Sequence, residues 1–597
     1  MIHYSKLIQS QSVKYKEKTV YRYKEDGDKE WTTVSWTKFN ELVSKAAYSL
    51  AKIGIKVQEN VAIFSQNKPE YLITEFALFQ NRAVSVPIYA TSSTSQLEYI
   101  INDASIRYLF VGEQYQYDVA WKTASICSSL KQIIIFDKNV VKHSLDKSSI
   151  YYDEFLNIPI TIENITIVNE RIETAKDDEL AALLYTSGTT GEPKGVMLMH
   201  SNFQEAMRIH PDRLPDLSDK DVSLNFLPMT HVFEKTWCFF CLYMGTEIVI
   251  NKNPKEIQEV IKEIRPTIMC SVPRFWEKVY EAVQEKIQSS NAVSKKLFTD
   301  AIEVGRKHNI EYLNEGKKPP LILSMKYKFY DKTIFSLLKK TIGIENGNFF
   351  PTAGAALSDN INVFLHSVGI DILYGYGLTE STATVCCSWK QGYKIGTVGK
   401  MMPGVQVKIG PDNEIMLKGK TITKGYYNKP EENNKSFENG WFKTGDAGRL
   451  EGDRLIMTER IKDLFKTSNG KYIAPQAIES LIGEDKYIDQ IAVIGNKRKY
   501  VTALIVPTFN LLEKYAKQNN IAYNDIKELI KNQKINELFR QRIKSLQEKL
   551  AGYEQIKRFT LLPKAFTMEE EELTNTLKIR RKVIEEKYEK EINNMYQ

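Results

Sequence analysis

Between Tyr185 and Val196 the chain reads Tyr-Thr-Ser-Gly-Thr-Thr-Gly-Glu-Pro-Lys-Gly-Val. Hydroxyl residues interleaved with glycines let backbone N–H groups approach an anion closely. Thr186, Ser187, Thr189 and Thr190 add hydroxyl donors between Gly188 and Gly191, and Lys194 supplies positive charge. The chemistry such a loop suits is the holding of phosphate oxygens. It is not the loop that opens a helix with Gly-Lys-Ser/Thr, because Pro193 stands between Gly191 and Lys194 and an apolar Val-Met-Leu-Met follows as an expected strand. A turn that binds nothing is the plain alternative, and the density of small polar residues directly after an apolar strand argues against it. Other chemistry-bearing residues are ambiguous alone. Cys238 and Cys241 form one CxxC in an apolar run, with no second pair or nearby histidine to complete a zinc site, so they read as core. His231 reads first as a packed histidine, Asp446 as a turn aspartate, Tyr376 as a core aromatic and Lys578 as one surface lysine among many.

Five further segments occur in order along the chain: Gly354-Ala355-Ala356-Leu357, Tyr374-Gly-Tyr-Gly-Leu-Thr-Glu380, Trp441-Phe-Lys-Thr-Gly-Asp446, Glu459-Arg-Ile-Lys-Asp463 and Leu573-Thr-Asn-Thr-Leu-Lys578. With the first loop they resemble, in register, the motifs of the adenylate-forming enzymes. That group includes acyl-CoA synthetases, firefly-type luciferases and peptide-synthetase adenylation domains. Asn575 stands where those relatives usually carry proline, a departure that loosens the loop and keeps the amine.

The resemblance implies a reaction and a division of labour. A carboxylate attacks the α-phosphate of ATP, pyrophosphate leaves, and the acyl group then passes to a thiol. An anion attacking a polyanion is slowed by electrostatics, so positioning and charge neutralisation carry catalysis. Thr186–Lys194 would hold the β- and γ-phosphates. Gly354, Ala355 and Ala356 would contact adenine, and Tyr376, beside Gly377, would stack on it. Thr379 would donate to the α-phosphate, and Glu380 is a hard oxygen ligand suited to Mg²⁺. Asp446 and Arg460 would take the ribose. Lys578 would reach the reacting carboxylate and α-phosphate. Lys462 would be the hinge about which a small domain turns, bringing Ser468, Gly470 and Lys471 to the coenzyme A side. Leu227-Pro-Met-Thr-His231-Val-Phe-Glu234 resembles the stretch bordering the acyl-carboxylate pocket, with His231 as a pocket residue and not a base.

The flavour of residues 227–236, 265–280 and 292–309 is closest to long-chain fatty acid–CoA ligases, which implies a long-chain fatty acid, ATP and coenzyme A as substrates. An apolar tunnel from Trp237–Tyr243 and Ile268–Pro273 would suit the alkyl chain, although the same residues would look alike as ordinary core. Another carboxylic acid, or a carrier-protein thiol as acceptor, is the alternative.

The elements that must position these residues alternate between short apolar runs and amphipathic stretches over the first 270 residues. Asn60–Phe64, Ala83–Ile88, Tyr108–Val111, 133–136 and Glu247–Ile250 read as strands, and 37–53 and 69–81 as helices. That alternation predicts an α/β domain with largely parallel sheets. Residues 275–345 read as helical, and 398–460 as a β-rich part with Gly and Asn turns. A new α+β pattern follows, with strands in IAVIG and VTALIVP and a long helical stretch over 521–550. The expected division is a large adenylation domain at 1–461 and a small mobile domain at 462–597, with the site between them.

Composition agrees with an ordinary globular protein: 42% of the 597 residues are hydrophobic and 26% charged, with a net charge of +8. From Lys462 onward there are 25 basic and 19 acidic residues, so most of the excess lies in the last quarter, where it suits the phosphates of coenzyme A. No motif supports nucleic acid as a partner. No apolar window reaches the length of a membrane span, and the N-terminal segment lacks an apolar core for export. The expected location is cytoplasmic, with peripheral contact at the cytoplasmic membrane face compatible with it; the sequence does not fix the oligomeric state.

Overall fold

The structure is a computed structural model that describes residues 2–25, 27–186, 192–461, 464–468, 472–548, 550–568, 570–574 and 578–597. Seven strands form the first sheet, in the order Ile150–Tyr151, Gln132–Ile135, Tyr108–Val111, Asn60–Phe64, Val84–Ile88, Leu180–Thr186 and Lys194–Met199. All neighbours are parallel except the last pair. Runs such as Val-Ala-Ile-Phe at 61–64 are apolar on both faces because helices cover both sides of a parallel sheet. A second sheet orders Val222–Asn225, Glu247–Ile250, Thr19–Tyr23 and Thr32–Ser35.

The third sheet has nine strands and runs from Phe350–Thr352 through Ile372–Tyr376 to the hairpins between Lys400 and Arg460. The β-rich part expected at 398–460 is therefore continuous with two parallel strands that precede it. Residues 268–271 link the second and third sheets, bridging to Ser223 on one side and to Phe349 and Thr352 on the other. The C-terminal quarter carries its own sheet, Ile488–Ile494, Val501–Pro507 and Ile556–Leu561, and its own apolar core. The helical stretch expected over 521–550 is broken into Ile526–Leu529 and Gln533–Leu546. Asn532 interrupts it and caps the second helix by accepting from Lys534 N. Cys238 and Cys241 are wholly buried in helix Val232–Met244, and the described residues contain no cluster of metal ligands.

Candidate active site

Parallel α/β sheets place ligands beyond the carboxyl ends of their strands. One cleft of about 3240 Å³ occupies that position for all three large sheets. Its walls include residues 65–67, 89–91, 113, 115–116, 226–228, 353–355 and 377–380, each group coming just after a strand.

The glycine-rich loop is held by a hairpin. Thr186 ends one strand and pairs with Lys194, which begins the next, so both ends of the loop are fixed at the cleft. Ser187, Gly188, Thr189, Thr190 and Gly191 lie outside the described residues. Lys194 Nζ donates to Glu432 and sits 5.2 Å from the ring centroid of Tyr426.

The turn after strand Ile372–Tyr376 is equally constrained. A Cβ on Gly377 would lie 1.2 Å from the carbonyl oxygen of Ala383, so only glycine fits. Thr379–Ser381 then makes one 3₁₀ turn that sets Thr379 and Glu380 on the cleft wall. Glu380 Oε1 accepts from the Tyr426 hydroxyl at 2.7 Å, and its backbone oxygen accepts from Thr423 N at 2.7 Å. Burial and the Glu380 charge push the Tyr426 phenol far up, so it stays a donor.

Asp446 is 4% exposed. Its Oδ2 accepts from the Tyr376 hydroxyl at 2.7 Å and its Oδ1 from Arg460 Nε at 3.0 Å. Its own N–H donates to Thr444 Oγ1 at 3.0 Å, and the neighbouring Gly445 N–H donates to Glu414 at 2.9 Å. Gly445 and Arg460 line the cleft, while the Tyr376 ring is buried behind it and spends its hydroxyl on Asp446. Gly354 and Ala355 line the cleft; Ala356 is exposed just beyond them. Gly354 has φ +96°, and Tyr374 pins the turn by donating to Ala355 O and accepting from Leu357 N, both at 3.1 Å.

His231 caps the N-terminus of helix Val232–Met244, its Nδ1 accepting from Phe233 N at 3.2 Å. Burial, then the nearby Lys578 charge, pushes its pKa down to about 4. At neutral pH it is therefore uncharged, with the proton on Nε2. Lys578 lines the same cleft; its backbone closes a short loop with Thr574, donating at 3.0 Å to Oγ1 and accepting at 2.8 Å. Thr186, Lys194, Gly354, Ala355, Gly377, Thr379, Glu380, His231, Arg460 and Lys578 thus share one cavity, while Ala356, Tyr376 and Asp446 do not line it.

Trp237 does not line it. The ring is 5% exposed, its N–H donates to Ser223 Oγ at 2.9 Å, and it packs on Phe240 and Phe349. Helix Val232–Met244 is buried as core along most of its length, its charged Glu234 and Lys235 included, which moves Trp237–Tyr243 out of the expected tunnel. Of Ile268–Pro273, Val272 and Pro273 reach the cleft. The apolar limb is instead lined by Val283, Ile287, Leu297, Phe298, Ile334 and Leu338, from the helical region 273–342. Ser468 is exposed, its N–H bonded to Arg498 O at 2.9 Å. Lys462, Gly470 and Lys471 lie outside the described residues.

Comparison with known proteins follows the same outline. The family model of the AMP-binding enzymes matches residues 8–427, well over half of the chain. The chain belongs to the AMP-binding enzyme family. A second model, the AMP-binding enzyme C-terminal domain, matches residues 462–597. This AMP-binding enzyme is 28% identical to a long-chain-fatty-acid–CoA ligase of Mycobacterium bovis, over 95% of this chain and 92% of that protein. It is 29% identical to fatty acyl-CoA synthetase B of Dictyostelium discoideum, over 99% and 90%. Among solved structures, the adenylation domain of a carboxylate reductase from Mycobacterium chelonae aligns with TM-score 0.77 and 20% identity, over 100% of this chain and 91% of that one. The o-succinylbenzoate coenzyme A synthetase of Bacillus subtilis, in complex with AMP, aligns with TM-score 0.67 and 19% identity, over 96% and 97%. These likenesses establish the adenylate-forming fold.

Proposed function

We propose that this AMP-binding enzyme is a long-chain fatty acid–CoA ligase. The observation that carries the reading is the convergence of Thr186, Lys194, Thr379, Glu380, Arg460 and Lys578 on one cleft that is also lined by apolar side chains of the helical region 273–342. The names of the relatives point the same way. A fatty carboxylate oxygen attacks the α-phosphorus of ATP, the bond to the β-phosphate breaks, and pyrophosphate leaves. The sulfur of coenzyme A then attacks the acyl carbon, the acyl–oxygen bond breaks, AMP departs, and the thiol proton passes to solvent.

In this reading Lys194 and the glycine-rich loop hold the outer phosphates, and Lys578 and Thr379 meet the charge developing at the α-phosphate. Gly354 and Ala355 bound the adenine, with Tyr376 acting from behind through Asp446. Asp446 and Arg460 take the ribose. His231, neutral and hydrogen-bonded, shapes the carboxylate end of the apolar limb and does not act as a base. Glu380 fits a hard cation, being an oxygen donor on the cleft wall fixed by Tyr426. Bound Mg²⁺ would supply neutralisation of phosphate charge there.

The division falls at 461/462, with a small domain that turns about Lys462. One orientation offers Lys578 to the adenylation step, and the other offers Ser468, Gly470 and Lys471 to coenzyme A. The place of Lys578 on the cleft wall supports the first orientation, and Arg274 pairs with Asp489 at 2.9 Å across the proposed division. Among the described residues no helix is long and apolar enough to cross a membrane. A cytoplasmic enzyme meeting the membrane from its surface fits that observation.

The test is AMP formation from palmitate, ATP, Mg²⁺ and coenzyme A, with each omitted in turn. Full dependence on all four is expected. Pyrophosphate exchange with aryl or short acids but not palmitate would overturn the fatty acid assignment. Acyl transfer to a carrier-protein thiol but not to coenzyme A would overturn the acceptor.

A further inference from the structure

Residues 321–342 are helical through Leu321–Tyr330, Asp331–Phe335 and Ser336–Ile342. A surface helix ordinarily turns apolar side chains inward and polar ones outward. Leu321–Tyr330 carries apolar side chains on both sides. Leu323, Tyr327 and Tyr330 face the core. Leu321, Ile322, Met325 and Phe329 stand 77%, 73%, 63% and 60% exposed. At 3.6 residues per turn those four fall within one arc of about 100°, flanked on its two edges by the exposed Lys326 and Lys328.

The ridge continues to the cleft. Helix Ala292–Gly305 packs beside it and exposes Val293 and Leu297, and Leu337 is exposed further along. Leu297 and Leu337 also line the apolar limb, so exposed apolar surface reaches its rim. Charge points to the partner. Between 314 and 342 the chain has seven lysines and two acidic residues. Exposed apolar side chains edged by long cations match an interfacial helix, whose apolar residues enter the acyl layer while lysine stems reach up to anionic headgroups. A second copy of this chain on the same face would oppose lysine to lysine.

We infer that this face docks on an anionic lipid bilayer and sets the rim of the apolar limb against it, so that an alkyl chain passes from membrane to cleft without crossing water. The passage of substrate rests on the ligase reading; the docking does not. The test is co-sedimentation of the full chain, without substrates, with vesicles of phosphatidylcholine and of phosphatidylcholine containing 30% phosphatidylglycerol. Binding to the anionic vesicles, weakened by salt, is expected. Each lysine near such a surface contributes about fivefold. Lys326→Glu with Lys328→Glu should therefore weaken binding more than tenfold, and Leu321→Ser with Ile322→Ser and Phe329→Ser should do likewise. Neither set touches the cleft, so adenylation of water-soluble octanoate should stay unchanged while palmitate delivered in vesicles is used poorly.

Vesicle binding equal to wild type in both variants would overturn the proposal, as would absence of binding by the wild type. A dimer that the serine variant dissolves, with vesicle binding unaltered, would assign the ridge to self-association and overturn it too. Binding that behaves as expected in a protein that activates no fatty acid would leave the docking standing and remove the ligase reading.

Discussion

Tyr426→Phe isolates one hydrogen bond at the heart of the cleft. The hydroxyl donates to Glu380 Oε1 at 2.7 Å, a short charge-assisted contact in a part-buried setting. Such bonds contribute about 1.5–3 kcal/mol. The phenyl ring stays, and with it the surface 5.2 Å from Lys194 Nζ. What changes is the direction in which Glu380 is held. If Glu380 stabilises the adenylation transition state only when so held, the full value appears in the barrier, and the rate falls roughly ten- to a hundredfold. Pyrophosphate release under single-turnover conditions reads that step directly, and isothermal titration with fatty acid should give unchanged affinity. Tyr426→Leu removes ring and hydroxyl together and should lose more. An adenylation rate within twofold of wild type in the Phe variant would refute the argument. So would equal losses in both variants, which would trace the effect to general disruption and not to the hydroxyl.

Asp446→Asn removes the charge that holds Tyr376 and Arg460, and it should raise the KM for ATP by roughly ten- to a hundredfold; initial rates against ATP check this, and an unaltered KM would take Asp446 off the nucleotide. Lys578→Ala should abolish acyl-adenylate formation yet still convert supplied acyl-AMP and coenzyme A to thioester; equal slowing of both half-reactions would sink the two-orientation reading. Glu234 is wholly buried, and neither carboxyl oxygen has a hydrogen-bond partner among the described residues, so burial raises its pKa well above the usual carboxylate value. The folded chain keeps a proton that the unfolded chain sheds above about pH 4.3, so this group's contribution to stability declines as pH rises from there. Glu234→Gln removes that slope, and its melting temperature relative to wild type should climb between pH 5 and 8; a difference constant with pH would show that Glu234 does not titrate this way.

What the sequence revealed depended on whether a feature is local. Strands Asn60–Phe64, Tyr108–Val111 and Glu247–Ile250 begin and end where their apolar runs do, because a strand buried on both faces has no other composition open to it. The two ends of the glycine-rich loop, Thr186 and Lys194, fall where the sequence puts them, closing a hairpin at the cleft, while the chemistry read from its consecutive residues stays a proposal. Tyr426 and Glu432 were not legible. They reach Glu380 and Lys194 from 46 and 238 positions away, and an ordinary-looking Gly-Tyr-Tyr-Asn segment gives no local sign of it. Trp237 failed for a different cause. The apolar run Trp237–Leu242 has the same sequence whether it walls a tunnel or fills a core, and only the packing of its neighbours on Trp237, Phe239 and Phe240 decides. The apolar limb itself comes from helices that the sequence shows as lysine- and glutamate-rich, since their few inward residues are diluted by charged ones.

Lys194 meets no incoming anion as a bare cation, because Glu432 already neutralises it. A polyanion entering the cleft has to exchange places with a tethered counter-ion, and that counter-ion stays within reach when the anion departs. Attraction is weaker than a lone lysine would give, and the route out is correspondingly easier. Glu432 is one-third exposed and has Lys435 3.5 Å away, so it has somewhere to go while displaced. On the proposed role of Lys194, a pair of this kind would restore the empty cleft after each departure. If Lys194 holds phosphates as proposed, that return of Glu432 would help pyrophosphate leave.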